Sequence, residues 1–389
     1  MGQGAHGCPL GVPRRHPDEY RQSYRATANA SEGIAAAFCD LTLCLDELRQ
    51  SDAAEVVALI FMLFAGQGKL RMSRAGTPRE RLTWSILALS NGEITLAQHV
   101  ASVGKTVDAG VLTRVAEIRA ALGPWGAFEE LHGHASSSDF AKALEAASKS
   151  HYGAVGAAWL QWCVDHAREL PKLLIPRVGE LVKELVPPEA SGQVHRVAQR
   201  FALVGLAGEM ATTAGLTGWP EGVARNAAIA CFRDWLADRP AGIGLSEDAA
   251  IMSQIRLWFE NNGAGRFTTW HRATDDHAPD KSLRAGFKKF IGPNGSDINS
   301  DIDWQAVYGD KRKMSSSESQ DTIVEYYVFP ETFNKEICRG VDPQRVKALL
   351  LSKGLLLPAH GEKYTCKPRL PGLGPTRCFR IPAAIHEGD

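Results

Sequence analysis

Apolar and polar positions fall in blocks along this chain, and the blocks define three stretches of different character. Leu41-Thr42-Leu43-Cys44-Leu45 is an apolar run of strand length ending in Asp46-Glu47. A second run, Trp84-Ser85-Ile86-Leu87-Ala88-Leu89, ends in Ser90-Asn91-Gly92. Between them residues 53–65 contain the longest apolar run of the sequence and predict a buried helix. Strands separated by a helix predict a parallel sheet with helices on its faces over residues 20–120. Residues 121–242 change to helical spacing throughout, with helices expected at 140–148, 173–185, 194–214 and 224–236. After Pro240-Ala241-Gly242 the pattern changes again, and residues 243–389 form the third stretch. There the pattern predicts a helix over 249–260 that stops at Asn261-Asn262-Gly263. A polar insertion follows at 292–320, then a strand over 323–329 and a helix over 343–352. That last helix precedes Gly354-Leu355-Leu356-Leu357-Pro358, read as a strand, and then a basic strand pair. The order is that of a winged helix-turn-helix.

Composition narrows the class. Of 389 residues, 44% are hydrophobic and 23% charged, which excludes wholesale disorder. No apolar run reaches the roughly 18 residues that a bilayer span needs, and the first residues carry no export signal. The eight cysteines are scattered without a C-x-x-C pair, so a reduced, cytoplasmic setting is the simplest expectation. Cys366, Cys378, His360 and His386 share one tail but lack paired-ligand spacing, so no zinc site is expected. Lys and Arg number 44, and so do Asp and Glu, giving zero net charge. The balance hides segregation. Residues 69–81 hold five basic side chains and one acidic; residues 339–380 hold nine basic and two acidic. Neutrality therefore does not exclude a nucleic-acid partner.

Candidate chemistry sits at the ends of the two strands. An apolar strand ending in Asp-Glu has the form of a Walker B element: Asp46 would hold a magnesium ion or its water, and Glu47 would polarise the attacking water. The same pair also suits a simple cap for the following helix. Gly66-Gln67-Gly68-Lys69-Leu70-Arg71-Met72-Ser73-Arg74, with the turn Ala75-Gly76-Thr77-Pro78, predicts a basic β-hairpin. It suits a phosphate backbone, or only solvent. Ser90-Asn91 at the second strand's tip could touch a γ-phosphate or merely turn the chain. Arg114, expected at a strand start in Val111-Leu112-Thr113-Arg114-Val115, could act in trans on a neighbour's ATP or be a surface arginine. Arg196 and Arg200 lie four apart on one helix face and could reach a phosphate or solvent. Lys363-Tyr364-Thr365-Cys366-Lys367-Pro368-Arg369 mixes basic and aromatic residues as a DNA-binding wing does. No G-x-x-x-x-G-K-[ST] loop occurs: Gly104-Lys105-Thr106 has His99 where the first glycine belongs and follows no strand.

Several of these segments together resemble one family. Tyr24-Arg25-Ala26-Thr27-Ala28-Asn29-Ala30-Ser31-Glu32-Gly33-Ile34-Ala35, Leu43-Cys44-Leu45-Asp46-Glu47-Leu48, Ala65-Gly66-Gln67-Gly68-Lys69, Leu89-Ser90-Asn91-Gly92-Glu93 and Gly215-Leu216-Thr217-Gly218-Trp219-Pro220 occur in that order. They resemble the "domain of unknown function 927" proteins of prophages, plasmids and integrated elements. Those proteins are often labelled superfamily II helicase derivatives, and they resemble MCM-like AAA+ helicases. The likeness spans about residues 20–260. It implies an α/β P-loop AAA+ ATPase sheet, a helical lid and a carboxyl-terminal winged-helix-like domain. It also implies ATP and magnesium as cofactors, DNA as partner, a homo-hexamer and no membrane. On this resemblance Asp46 and Glu47 are Walker B, and Asn91, before Ser90, is sensor 1. Arg114 becomes the arginine finger, and Arg196 or Arg200 sensor 2. Lys69, Arg71 and Arg74 grip DNA from a presensor hairpin, and Lys363, Lys367 and Arg369 belong to the wing.

The family carries a Gly-Lys-Thr loop upstream of this region, and the Walker A half of the sheet is missing here. Residues 1–19 look foreign to the family, so the expected layout is a partial core at 20–120, a lid at 121–242 and a winged helix at 243–389. A truncated mobile-element helicase-like ATPase that does not turn over ATP alone is the leading expectation. The alternatives are a non-enzymatic DNA-binding protein and a non-functional gene remnant.

Overall fold

The computed structural model describes residues 15–72, 80–120, 123–270, 283–291 and 323–387. They form two compact units, residues 1–245 and 246–389. The architecture is mixed α/β, with small sheets and many helices.

In the first unit the helical turn α1 (Pro17–Tyr20) leads to β1 (Gln22–Ser23), α2 (Ala28–Ala37), β2 (Thr42–Asp46), α3 (Val56–Ala65) and β3 (Leu87–Ser90). The three strands are parallel in the order β1-β2-β3. Leu43 stands opposite Ala88, and Leu45 opposite Ser90. Thr27 caps α2 through its side chain, which accepts from the Ala30 N–H. Helix α3 begins three residues later than its apolar pattern suggests, because the Asp52 carboxylate takes the Ala54 N–H and holds residues 53–55 as a turn. It ends at Gly66, whose φ of 70° is the left-handed cap that glycine supplies without strain.

Helix α3 is apolar on all sides because it serves two clusters. Leu63 packs with Ala35, Phe38, Leu43 and Trp84, while Val56 and Ile60 pack with Leu96, Val100 and Val111. The second strand is shorter than its apolar run: residues 84–86 lie outside it, and Trp84 is drawn into the core by donating its indole N–H to the Leu63 carbonyl.

Helices α4 (Leu96–Ala101), α5 (Ala109–Leu112), α6 (Ser137–Ser150), α7 (Ala154–Asp165), α8 (Leu170–Leu185), α9 (Gly192–Thr213) and α10 (Val223–Ala237) follow among the described residues of the unit. Residues 123–135, expected to be helical, contain no helix. Val182, Val194, Val197, Phe232 and Trp235 make the core of α8–α10. Gly208 lets α10 approach α9 closely, since a Cβ there would lie 2.5 Å from the Ala224 Cβ. The Glu209 carboxylate accepts from the Gly222 and Arg225 N–H groups, both at 2.8 Å, and so caps α10 from the preceding helix. These bonds lower its pKa. Helices α6 and α7 bury no residue.

The second unit contains α11 (Ser246–Asn262), β4 (Phe267–Thr269), β5 (Gly286–Ile291) and β6 (Ile323–Val328). A helical turn at 330–337 precedes α12 (Pro343–Ser352), β7 (Arg369–Leu370), β8 (Gly374–Pro375) and β9 (Phe379–Pro382). The sheet order is β4-β5-β6-β9, with β4 parallel to β5 and the other pairs antiparallel. Alternate residues of β6 serve opposite faces. Tyr326 and Val328 join Ile255, Phe259, Phe333 and Leu350, whereas Tyr327 joins Phe287, Cys366, Leu370 and Cys378. Residues 354–358 form no strand, although the Leu357 N–H donates to the Arg380 carbonyl at 2.9 Å. The polar insertion at 292–320 lies outside the described residues.

Candidate functional site

Parallel pairing puts the carboxyl ends of β2 and β3 side by side, and with them Asp46 and Asn91. One amide ties the two strand ends together. Asn91 Nδ2 donates to Asp46 Oδ1 at 2.9 Å, its Oδ1 accepts from the Glu47 N–H at 2.6 Å, and its carbonyl accepts from the Leu48 N–H at 3.0 Å. Ser90 turns elsewhere: its Oγ accepts from the buried Tyr24 hydroxyl at 2.8 Å. Glu47 holds φ 58°, a left-handed conformation uncommon for a residue with a Cβ. Its carboxylate accepts from the Arg49 N–H at 3.1 Å and caps the short helix Leu48–Gln50. In this arrangement it faces its own following turn, as a capping residue does.

Asp46 has a further partner absent from the sequence reading. Arg21, entering β1, places Nε 3.6 Å from Asp46 Oδ2. An open cavity of about 430 Å³ lies against Arg21, Asp18, Cys44, Glu145 and Lys149. No sequence pattern pairs Arg21 with Asp46; β1–β2 pairing does. A magnesium ion at Asp46 would find one carboxylate beside one amide. Among the described residues no group of three or more His, Cys, Asp and Glu side chains could hold a metal ion. Mg²⁺ usually keeps several waters and relies on substrate phosphates, so Asp46 fits the holding of a metal-bound water and not a self-sufficient metal site.

The predicted hairpin has an antiparallel base. Gln67 bridges Thr83, the Gly68 N–H donates to the Leu82 carbonyl at 2.9 Å, and the Trp84 N–H donates to the Gly66 carbonyl at 2.9 Å. Lys69 is exposed. Arg71 instead turns onto α2. Its guanidinium lies 2.7 Å from Glu32 Oε2 and donates to Asn29 Oδ1 at 2.7 Å. Arg74 and the turn lie outside the described residues.

Glu32 is buried within α2 and also accepts from the Lys69 N–H at 3.3 Å. Burial raises its pKa, but Arg71 and that amide outweigh burial and hold the carboxyl below its usual range. Gly68 leaves room for this carboxylate, since a Cβ would sit 2.8 Å from Glu32 Oε2 and the side chain would have to shift. Sequence reading singled out both Ala28-Asn29-Ala30-Ser31-Glu32 and Gly66-Gln67-Gly68-Lys69; their contact appears only in the fold.

The three candidate arginines come together in the same unit. Arg114 lies not at a strand start but in the turn after α5, because Val111 to Val115 close helical bonds. Its guanidinium donates to the Gly110 carbonyl at 2.7 Å and stacks over Phe61. Arg200 of α9 donates to the carbonyls of Thr113 and Arg114 at 2.7 and 3.0 Å. Burial, then the charges of Arg114 and Arg196, push its pKa down. Arg196 is exposed one turn away. The three guanidinium groups are close enough for Arg114 and Arg196 to act electrostatically on Arg200.

In the second unit Lys363, Lys367 and Arg369 are all exposed along the approach to the β7–β8 hairpin. Lys363 Nζ lies over the neighbouring Tyr364 ring. Asp342 caps α12 at its start, and Arg345 on that helix pairs with Asp248 of α11 at 2.9 Å.

No curated protein sequence matches this chain. One similar solved structure is described as "SCCmec type IV Cch - active helicase". It aligns with TM-score 0.55 over 94% of this chain, at 14% identity. The chain spans about half, 56%, of that structure's length. At such identity the likeness is one of fold: the mixed α/β architecture is similar to that of a helicase of a mobile element. No helix among the described residues is long and apolar enough to cross a membrane. The family model described as Domain of unknown function (DUF927) matches residues 10–82, which contain Asp46, Glu47 and the Glu32–Gly68 contact.

Proposed function

We propose that this chain is part of a helicase-like, DNA-acting ATPase of a mobile genetic element, built on a partial AAA+ sheet. The observation that carries the reading is the Asp46–Asn91 hydrogen bond across the carboxyl ends of two adjacent parallel strands. Ligands of open α/β sheets bind beyond the carboxyl ends of the strands, and a carboxylate beside an amide there suits a metal-bound water and a phosphate oxygen. Asp46 would hold the magnesium water and Asn91 would sense the γ-phosphate. The Arg114–Arg196–Arg200 cluster would meet nucleotide phosphates. When bound, ATP with Mg²⁺ would supply the phosphoryl group and its counter-charge. The residues of this chain would orient that group and offset its charge.

DNA would be gripped from Lys69 on the hairpin and from Lys363, Lys367 and Arg369 beside the β7–β8 hairpin, with α11, the 330–337 turn and α12 as a winged helix-turn-helix. The absence of a G-x-x-x-x-G-K-[ST] loop from these 389 residues leaves the phosphates without their backbone cradle. The expected outcome for the purified chain is therefore salt-dependent DNA binding without appreciable ATP turnover. Magnesium-dependent turnover abolished by Glu47→Gln would refute the second half. Binding unchanged by joint alanine replacement of Lys363, Lys367 and Arg369 would refute their assignment as DNA contacts.

A second reading, a DNA-binding protein without enzymatic role, is favoured by the Glu47 carboxylate facing its own turn. DNA affinity indifferent to ATP analogues and to Asp46→Asn would select it.

A further inference from the structure

Two cysteines that sequence reading could relate only through a rejected zinc site are direct cross-strand neighbours. Cys366 and Cys378 exchange both backbone hydrogen bonds, each N–H donating to the other's carbonyl at 2.9 Å. In antiparallel pairing such residues hold their Cα atoms about 5.5 Å apart, inside the roughly 4.4–6.8 Å window of disulfides. Both thiols belong to the same buried cluster with Phe287, Tyr327 and Leu370. Cys366 Sγ faces the Cys378 carbonyl at 3.6 Å, and Cys378 Sγ faces the Thr376 carbonyl at 3.7 Å. The pair sits at the base of the β7–β8 hairpin, and residues 367–377 lie between the two cysteines.

We propose that Cys366 and Cys378 are a peroxide-responsive thiol pair that forms an intramolecular disulfide and staples the β7–β8 hairpin. In the first step the Cys366 sulfur attacks hydrogen peroxide. The O–O bond breaks, one oxygen stays as Cys366–SOH, and the other leaves as water. In the second step Cys378 sulfur attacks the sulfenic sulfur, the S–O bond breaks, and a second water leaves. Two thiols and one peroxide thus give one disulfide and two waters. The order follows from access: Cys366 is 8% exposed and Cys378 is 0% exposed.

Burial and charge slow the reaction without redirecting it. Burial pushes the Cys366 thiol up to about 11, with Arg380 of β9 pulling down and Glu325 of β6 pushing up. Burial and the nearby Cys366 push Cys378 up to about 12. The thiolate is the reacting form, so the pair is slow at neutral pH and its rate rises about tenfold per pH unit between pH 7 and 9. The proposal does not rest on the DNA-acting reading, because neither thiol is a contact in it, although the stapled hairpin carries Lys367 and Arg369.

The test treats the full chain with hydrogen peroxide, quenches with catalase, alkylates under denaturing conditions and maps cysteines by peptide mass. The expected result is a Cys366–Cys378 linked peptide, two hydrogens lighter than the separate pair and split by dithiothreitol. Trypsin cleavage after Arg369 in the folded protein should slow several-fold after oxidation. In Cys378→Ser the sulfenic acid should persist at Cys366 and be captured by dimedone. Recovery of both cysteines as alkylated thiols, sulfinic acid at either, or linkage of either to another cysteine would overturn the proposal, as would dimedone capture confined to other positions.

Discussion

The two sheets of this protein solve the burial of a strand face differently. In the second unit β6 sends Tyr326 and Val328 into one core and Tyr327 into another, so the sheet is covered on both faces by its own chain. In the first unit β2 buries Leu43 against α2 and α3, yet β3 leaves Leu87 47% and Leu89 64% exposed. Parallel sheets are normally covered on both faces. The contrast teaches that apolar content alone does not mark where a chain is stable: the 87–90 strand is as apolar as β6 but contributes little burial. It also places the candidate chemistry on the less covered sheet, where strand ends are open to a ligand.

Four measurements would break or sharpen this contrast, and amide hydrogen exchange can read the two units separately. The largest effect is expected from Phe287→Ala. That ring is fully buried in the second sheet, and its loss should cost about 3–5 kcal/mol in that unit. A cost below about 1 kcal/mol would mean that the doubly covered sheet is no better packed than the open one.

Next comes Glu32→Gln, which removes the buried charge that Arg71 and the Lys69 amide hold, at about 1–3 kcal/mol in the first unit. Because the folded carboxyl titrates below its unfolded value, its contribution is fully present above the usual carboxylate range and is lost as pH falls through the lowered value. Wild-type protection over residues 28–72 should therefore fall on acidification, and the Gln variant should show a flatter profile. Equal acid sensitivity of the two would discount the ion pair.

Asn91→Ala should cost about 1–2 kcal/mol by releasing Asp46 and the Glu47 N–H, confined to the first unit. Spread of the effect into residues 286–291 or 323–381 would show that the loss is not local. The smallest effect is expected from Leu89→Ser: within about 0.5 kcal/mol in stability, with less self-association in light scattering. A loss of several kcal/mol would show that β3 is covered after all.

Much of the local structure was legible in the pattern. The helix expected over 343–352 spans Pro343–Ser352, where Asp342 caps its start, and the apolar run before Asp46 is the strand Thr42–Asp46. Arg114 was misplaced because Val111-Leu112-Thr113 has β-branched composition, while the local bonds from Asp108 onward close helical turns. Residues 354–358 were read as a strand from three leucines, but Leu355 and Leu356 are buried beside α12 without pairing as a strand. Arg21 and the Cys366–Cys378 pair were invisible as partnerships, since neither spacing nor composition encodes which strands lie side by side.

The amino-acid sequence by itself determined the periodic elements, their caps, the segregation of basic residues and the motifs that carry the family resemblance. Such features depend on neighbours a few positions apart, where propensity and hydrophobic spacing act. Only the tertiary structure decided that Asn91 bridges Asp46, Glu47 and Leu48, that Arg71 is held by Glu32 across 39 positions, and that Arg200 reaches Thr113. Those contacts are set by strand order, parallel register and helix packing, which join residues far apart in the chain through burial and hydrogen-bond geometry that no local pattern records.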